Sequence, residues 1–511
     1  MRLDSKIAAR QDIHAGCRSE GAKLRRIIEG QEATIKAQGA TIKTQGATIK
    51  TQVVQLAELT ERLGLDSSNS HLPPSRDGNK ARSKRKPKKK GKRKRGGQPG
   101  HKGKNPTLLP PDKVDRTVRH VPENCGGCGG SLRNKPNAGD SRPTRHQVIE
   151  LPKKLYEVVE HQCEARVCGA CGELTRAVLP VGVPRTCTGP KLQAFSALLS
   201  AHFRCSKRKV QEFFSMVFSG CGGISLGTVS NHEKLTSAAL AGPYKEAVEA
   251  IARQDLIHSD ETSWPEEGVG RYLYSWTAVA SRLPLTAFLI ARRTRQAFEG
   301  FLSGFKGTAH VDRYGSYAHM GDRRCFCWAH LKRDFKRVEQ RGGLSKKIAK
   351  VGLRVHRDLF KAWHRFEAGE FDREGLRAAL RPLESRLRPV LQEGAARKGS
   401  KKHGKTAGFC QNLLDDWACL WRFAEIEGGR PTNNAAERSV RHGVILRKTS
   451  FGTQSKRGSR FIERMLTAIE TCRRQKRDVF AYLTAACEAA LFGEAAPSLL
   501  PPEMLALAAP T

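Results

Sequence analysis

The chain is predicted to be α/β, its strand-bearing part interrupted by a helical insertion. A coiled coil, a basic linker and a zinc-binding domain precede it. Three patterns predict this. Short apolar runs of strand length cluster between residues 256 and 312, an apolar step of seven residues runs through the first 66, and two Cys-x-x-Cys pairs lie between residues 125 and 171. The expected segments are 1–66, 67–106, 107–189, 190–250, 251–338, 339–430, 431–480 and 481–511.

The 91 Lys and Arg residues against 50 Asp and Glu leave a net charge of +41, so the expected partner is a polyanion, and double-stranded DNA is the first candidate. No apolar run reaches the ~18 residues of a membrane span. The opening Met1-Arg2-Leu3-Asp4-Ser5-Lys6 lacks the apolar core of a secretion signal. The expected location is therefore cytoplasmic, where the 15 cysteines are reduced or metal-bound.

In the first segment Ile28, Ile35, Ile42, Ile49, Leu56 and Leu63 keep the heptad step, and Glu32 to Gln38 recurs as Gly39 to Gln45 and Gly46 to Gln52. This predicts a coiled coil and a homo-oligomer. The other seam positions, Leu24, Gln31, Gln38, Gln45, Gln52 and Leu59, are mostly polar, which favours register over stability. Lys80 to Lys104 then holds 14 Lys or Arg and no acid, including Lys88, Lys89, Lys90, Arg93, Lys94 and Arg95. Such a run buries no core and neutralises phosphates without reading sequence.

Cys125 and Cys128 form one knuckle and Cys168 and Cys171 a second, with 39 residues between them. Four thiolates so arranged suit tetrahedral Zn²⁺ with no open position, a structural ion, and the chain around 147–150 and 156–159 is expected to pair as a hairpin. Residues 190–250 read as helical. The stretch after Gly220-Cys221-Gly222-Gly223 looks like the entry to a recognition helix or, equally, part of a supporting hairpin, and Lys207, Arg208 and Lys209 favour DNA.

The next segment reads strand, strand, strand, helix, strand, an order that fits a ribonuclease-H-like fold. Asp260 and Asp312 each end an apolar run, and Glu437 sits in an Asn-capped helix start, Asn433-Asn434-Ala435-Ala436-Glu437. Three such carboxylates can share two Mg²⁺ or Mn²⁺ ions. Glu261 and Asp255 compete with Asp260, Asp322 with Asp312, and Glu427 or Glu463 with Glu437. The 124 residues between Asp312 and Glu437 exceed any simple connection and show helical periodicity from 339 to 430. Cys325, Cys327 and His330 imitate a metal cluster but lack a fourth ligand.

One ordered series of motifs resembles the large transposase of the insertion sequence 66 family. It comprises Ser67-Ser68-Asn69-Ser70, Gly96 to Gly103, the knuckles, Asp260-Glu261-Thr262 with Trp264, Asp312 with Tyr314 and Tyr317, Cys327-Trp328-Ala329-His330-Leu331-Lys332-Arg333, and Asn433 to Arg438. His71-Leu72 departs from the family's usual Ser-Lys before Pro73-Pro74. The resemblance implies a DDE transposase whose triad is Asp260, Asp312 and Glu437, with Asp260 bridging two ions. It also implies phosphate contacts from Arg447 and Lys448, and small accessory transposition proteins in a bacterial, nucleoid-associated setting; Arg333, Arg438 and Arg441 are further candidates for DNA binding. His330 and Arg333 have a second reading, as a packing histidine and a solvated arginine. The rival from another class is a non-catalytic zinc-containing DNA-binding protein, and an inactive transposase remnant is a third reading.

Overall fold

A computed structural model describes residues 27–55 (except 29, 47, 50 and 54), 108–133, 145–152, 155–218, 223–267, 273–399, 403–502 and 504. Contacts divide the chain into two units, Met1–Lys89 and Lys90–Thr511. In the first unit every described residue is helical. Ile28, Ile35, Ile42 and Ile49 lie exposed along that helix. Thr34, Thr41, Thr44 and Thr48 turn their hydroxyls back onto the carbonyls four residues earlier, which satisfies them without a partner chain.

The second unit opens with β1 (Ala165–Val167) and β2 (Leu174–Arg176), an antiparallel pair around the second knuckle. The expected hairpin around 147–150 and 156–159 does not form, and those residues carry no strand. The tight knuckle turn at Cys168 brings its own flanks together instead, whereas Val148, Ile149, Val158 and Val159 stay exposed. Four helices follow: α1 (Pro190–Ala201), α2 (Lys207–Val217), α3 (Leu226–Ala239) and α4 (Ala241–Ala252).

The central sheet has five strands, β3 (Leu256–Trp264), β4 (Leu273–Ala280), β5 (Thr286–Ala291), β6 (Thr308–Val311) and β7 (Arg324–Phe326). They lie in the order β5-β4-β3-β6-β7, with β3, β4 and β5 antiparallel and β6 and β7 parallel to β3. A short helix, α5 (Arg295–Phe301), makes the crossover from β5 to β6. Then come the helices of the long interval, α6 (Trp328–Glu339), α7 (Gly343–Glu367), α8 (Arg373–Ala395), α9 (Gly404–Asp415) and α10 (Trp417–Trp421). The chain returns to the sheet with α11 (Asn434–Ser450), α12 (Lys456–Arg474) and α13 (Val479–Phe492).

Strand alternation gives the sheet two distinct faces. Ile257, Trp276, Ala278, Ala287, Ala309 and Val311 belong to one apolar core that continues into the helices of the long interval through Leu359, Leu387 and Leu413. Phe288 and Ile290, one residue out of phase, join a second core with Phe461, Met465 and Ile469 of α12. On that second side α12 also clasps the strand backbone. Glu463, Thr467 and Thr471 accept from the amides of Ile290, Phe288 and Thr286 at 2.7–3.1 Å. Among the described residues no helix is long and apolar enough to cross a membrane.

Candidate active site

The site starts from a repeated tripeptide pattern, His258-Ser259-Asp260 on β3 and His310-Val311-Asp312 through the end of β6. The strands run parallel with His258 opposite His310. Two residues further along both strands, the same register sets Asp260 beside Asp312 on the same face. The two imidazoles stack at 4.4 Å with 12° between planes. Burial holds His258 down at about 4 and His310 well below the usual range, so both rings are neutral at pH 7.

These histidines also hold the chain that brings in the third carboxylate. His258 Nδ1 donates to Asn433 Oδ1 at 3.2 Å, Asn433 Nδ2 donates to the Ser259 carbonyl at 2.6 Å, and the Arg430 amide donates to His310 Nε2 at 3.3 Å. Asn433 stands at the N-cap of α11, yet its side chain does not cap. It is spent on β3, which fixes where the first turn of α11, and with it Glu437, meets the sheet. From the other side the Trp328 amide donates to the Pro431 carbonyl at 2.9 Å, and the Asn433 amide donates to Cys327 Sγ at 3.3 Å.

Asp260 lies within β3 rather than at its end, because the strand continues through Trp264 paired with β4. Its Oδ1 accepts from the Glu261 amide at 2.9 Å. Burial first, then the negative charges of Glu261, Asp312 and Glu437, push its carboxyl well above the usual range. Asp312 is raised by burial, against the pull of the Tyr314 amide, which donates to Oδ1 at 2.9 Å, and of Arg293, whose Nη2 lies 3.8 Å from Oδ2. Glu437 Oε1 lies 3.9 Å from Cys327 Sγ and 3.4 Å from His330 Nδ1. Among the described residues, the gathering of three ligand atoms within 4.8 Å is Cys327, His330 and Glu437. Asp260 feels the charges of both Asp312 and Glu437, but the three carboxylates are not gathered within that distance.

Glu261 falls on the opposite face of β3, and its side chain is 1% exposed. Arg293 donates to its Oε1 through Nε at 2.8 Å and again through Nη2, and the Tyr317 hydroxyl donates to Oε2. Burial and the Asp312 charge raise this carboxyl while Tyr317 and Arg293 lower it. Arg293 also stacks 3.3 Å over the Tyr314 ring, so one guanidinium ties Glu261 to the turn that carries Asp312. The other competing carboxylates stand elsewhere. Asp255 and Asp322 are exposed, Glu427 pairs with Arg282 at 2.8 Å, and Glu463 is buried against β5.

Residues 211–461 match the family described as Transposase IS66 family, a span that includes Asp260, Asp312 and Glu437. Over that stretch, just under half of the chain, the sequence is similar to the IS66 transposase family. Residues 21–107 match a second family whose function is unknown. Two uncharacterized proteins of Sinorhizobium fredii, y4hP and y4qI, are each 25% identical to the chain. The first aligns over 74% of this chain and 73% of its own length, the second over 46% and 48%. The match to a transposase family implies DNA binding and suggests transposition as the class of activity.

The other expected site residues lie in separate parts of the chain. Each knuckle forms the same turn: Gly129 and Gly172 donate to the carbonyls of Cys125 and Cys168 at 2.9 Å, both with positive φ, at 72° and 73°. Backbone amides aimed at the first sulfur lower the Cys125 and Cys168 thiols. The four sulfurs are not gathered within one ligand sphere. On α11, Arg438, Arg441 and Lys448 are exposed, whereas Arg447 is held inward by the Ser263 carbonyl and hydroxyl. Arg333 is half-buried beside His330, and Arg208 is exposed, but Lys207 is engaged by Glu233 at 3.0 Å and Ser230 at 2.9 Å. Lys88, Lys89, Lys90, Arg93, Lys94 and Arg95 lie outside the described residues.

Proposed function

We propose that this chain is a DDE transposase with a ribonuclease-H-like catalytic domain, which cuts DNA at insertion-sequence ends and joins the freed 3′ ends to target DNA. The observation that carries this reading is the parallel register of β3 and β6. It sets Asp260 beside Asp312 above the stacked histidines, while Asn433 pins the start of α11 so that Glu437 faces them. The strand order, with three antiparallel strands followed by two parallel ones, supports the fold assignment.

The donor set fits two divalent ions, Mg²⁺ or Mn²⁺. The donors are hard carboxylate oxygens, and burial together with neighbouring like charges raises Asp260, a cost that an ion's positive charge would relieve. When bound, such ions supply an activated water or 3′ hydroxyl and offset the charge that develops on the phosphate and the leaving oxygen. The chain's own residues do the positioning. Asp260, Asp312 and Glu437 would hold the ions, and Arg293 keeps the Asp312 turn in place through Glu261. Arg438, Arg441 and Lys448 present positive charge along one exposed stretch of α11, suited to the DNA backbone.

Around this centre, the two knuckles are read as a structural Zn²⁺ site of Cys125, Cys128, Cys168 and Cys171. The N-terminal isoleucine stripe is read as the seam of a homo-oligomer, and small accessory proteins are expected by family resemblance. The test is Mg²⁺-dependent cleavage of labelled DNA that carries the sequences flanking this gene, with Asp260→Asn as the comparison. Nicks at a fixed position that vanish in the variant, while both proteins still bind, support the reading. Binding by both with cleavage by neither goes against it and favours the non-catalytic DNA-binding rival.

A further inference from the structure

Cys327 is the N-cap residue of α6 and His330 lies in the first turn of that helix, so the Cys-x-x-His spacing turns a thiol and an imidazole toward the same side. Both meet Glu437, whose Oε1 lies 3.9 Å from Cys327 Sγ and 3.4 Å from His330 Nδ1. Two ligands of a tetrahedral zinc-sized ion, bound at ~2.3 Å through sulfur and ~2.0–2.1 Å through nitrogen or oxygen, are separated by about 3.5 Å for sulfur and oxygen and about 3.4 Å for nitrogen and oxygen. The observed spacings are close to both. His330 Nδ1 is sealed from solvent and has no hydrogen-bond partner, so nothing competes for its lone pair. The Asn433 amide donates to Cys327 Sγ at 3.3 Å, and although burial and the Glu437 charge raise the free thiol to about 11, a bound cation would offset both.

We propose that Cys327, His330 and Glu437 form a three-ligand site for a thiophilic divalent cation such as Zn²⁺, and that filling it withdraws Glu437 from Asp260 and Asp312. Soft sulfur and imidazole donors select against Mg²⁺, which prefers oxygen ligands in an octahedral cage. One carboxylate thus serves two mutually exclusive ion sites, and a zinc-class ion acts as an inhibitor of the metal-dependent reaction. Ligation releases the Cys327 proton to solvent. The inhibitory half of the proposal rests on the reading of Glu437 as the third carboxylate.

The site itself is tested without catalysis, by counting Zn²⁺ bound per full-length chain at equilibrium in the wild type, Cys327→Ser and His330→Gln. One equivalent fewer in each variant, with the knuckle sites retained, is the expected result, and equal stoichiometry in all three overturns the site. Should Cys327→Ser fail to fold, His330→Gln decides, since its ring is partly exposed. The coupling is tested by titrating Zn²⁺ into the Mg²⁺-dependent cleavage assay. Inhibition of the wild type that is weakened at least tenfold in His330→Gln supports it, and equal inhibition of both overturns it. A wild type that does not cleave at all counts against the proposed function, and the Zn²⁺ count then decides the site alone.

Discussion

Arg293 shows how a single side chain governs the geometry of the site, since it links the buried Glu261 to Asp312. Glu261 is almost fully buried and depends on Arg293 and Tyr317 for its hydrogen bonds. Arg293→Met leaves that carboxyl without its cation, and the expected loss is about 3–5 kcal/mol of stability in urea unfolding. The double variant with Glu261→Gln should recover most of it, and a double variant as unstable as the single one refutes the pairing argument. Glu463 offers a test in pH. Burial raises it from the ordinary 4.5 to about 7, against the Ile290 amide that donates to it. Between those two values the folded state keeps a proton that the unfolded chain releases, so stability falls as pH rises through this window and is level above it. Glu463→Gln keeps the acceptor oxygen and cannot ionise, so its stability relative to wild type should rise between pH 4.5 and 7, by on the order of 3 kcal/mol. Chemical denaturation at pH 5 and pH 8 measures this, and an equal difference at both pH values rules it out.

At the scale of elements, the helices were readable from periodicity and their crossings were not. Leu376, Leu380, Leu383, Leu387 and Leu391 fall three or four residues apart and form the buried stripe of α8. The approach of α7 to α6, in contrast, depends on Gly352. A Cβ there would stand 2.3 Å from the Phe335 ring, which is fully buried. Gly352→Ala should therefore lower stability by about 1–3 kcal/mol even though alanine favours a helix by ~1 kcal/mol, a result read from the urea midpoint. An unchanged or raised midpoint would show that the crossing relaxes freely. The start of α11 teaches the same lesson. Asn433 was legible as a helix boundary, but its side chain serves β3, and the stacked histidines that receive it went unnoticed although His-x-Asp occurs twice in the chain.

For the whole molecule, charge is the governing quantity. With a net charge of +41, DNA affinity is expected to fall steeply with salt, and deleting residues 80–104, which carry 14 of the positive charges, should flatten that dependence. Measuring binding to one duplex from low to moderate salt settles it, and identical slopes before and after deletion would exclude the linker from phosphate contact. The two units are linked along a chain whose basic residues near their junction lie outside the described part.

Composition, spacing and order were enough to point to a polyanion partner, a heptad helix, two knuckles, an α/β core and three carboxylates, because each is carried by residue type or by a repeat along the chain. Which carboxylate faces which was a matter for the folded chain alone. Asp260 and Glu261 are neighbours in sequence, and strand alternation sends them to opposite faces. Asp260 and Asp312 are far apart along the chain, and one parallel pairing sets them side by side. The closeness of Cys327, His330 and Glu437 likewise arises only when α6 and α11 meet, since a contact between distant segments is written in their packing and not in the spacing of either.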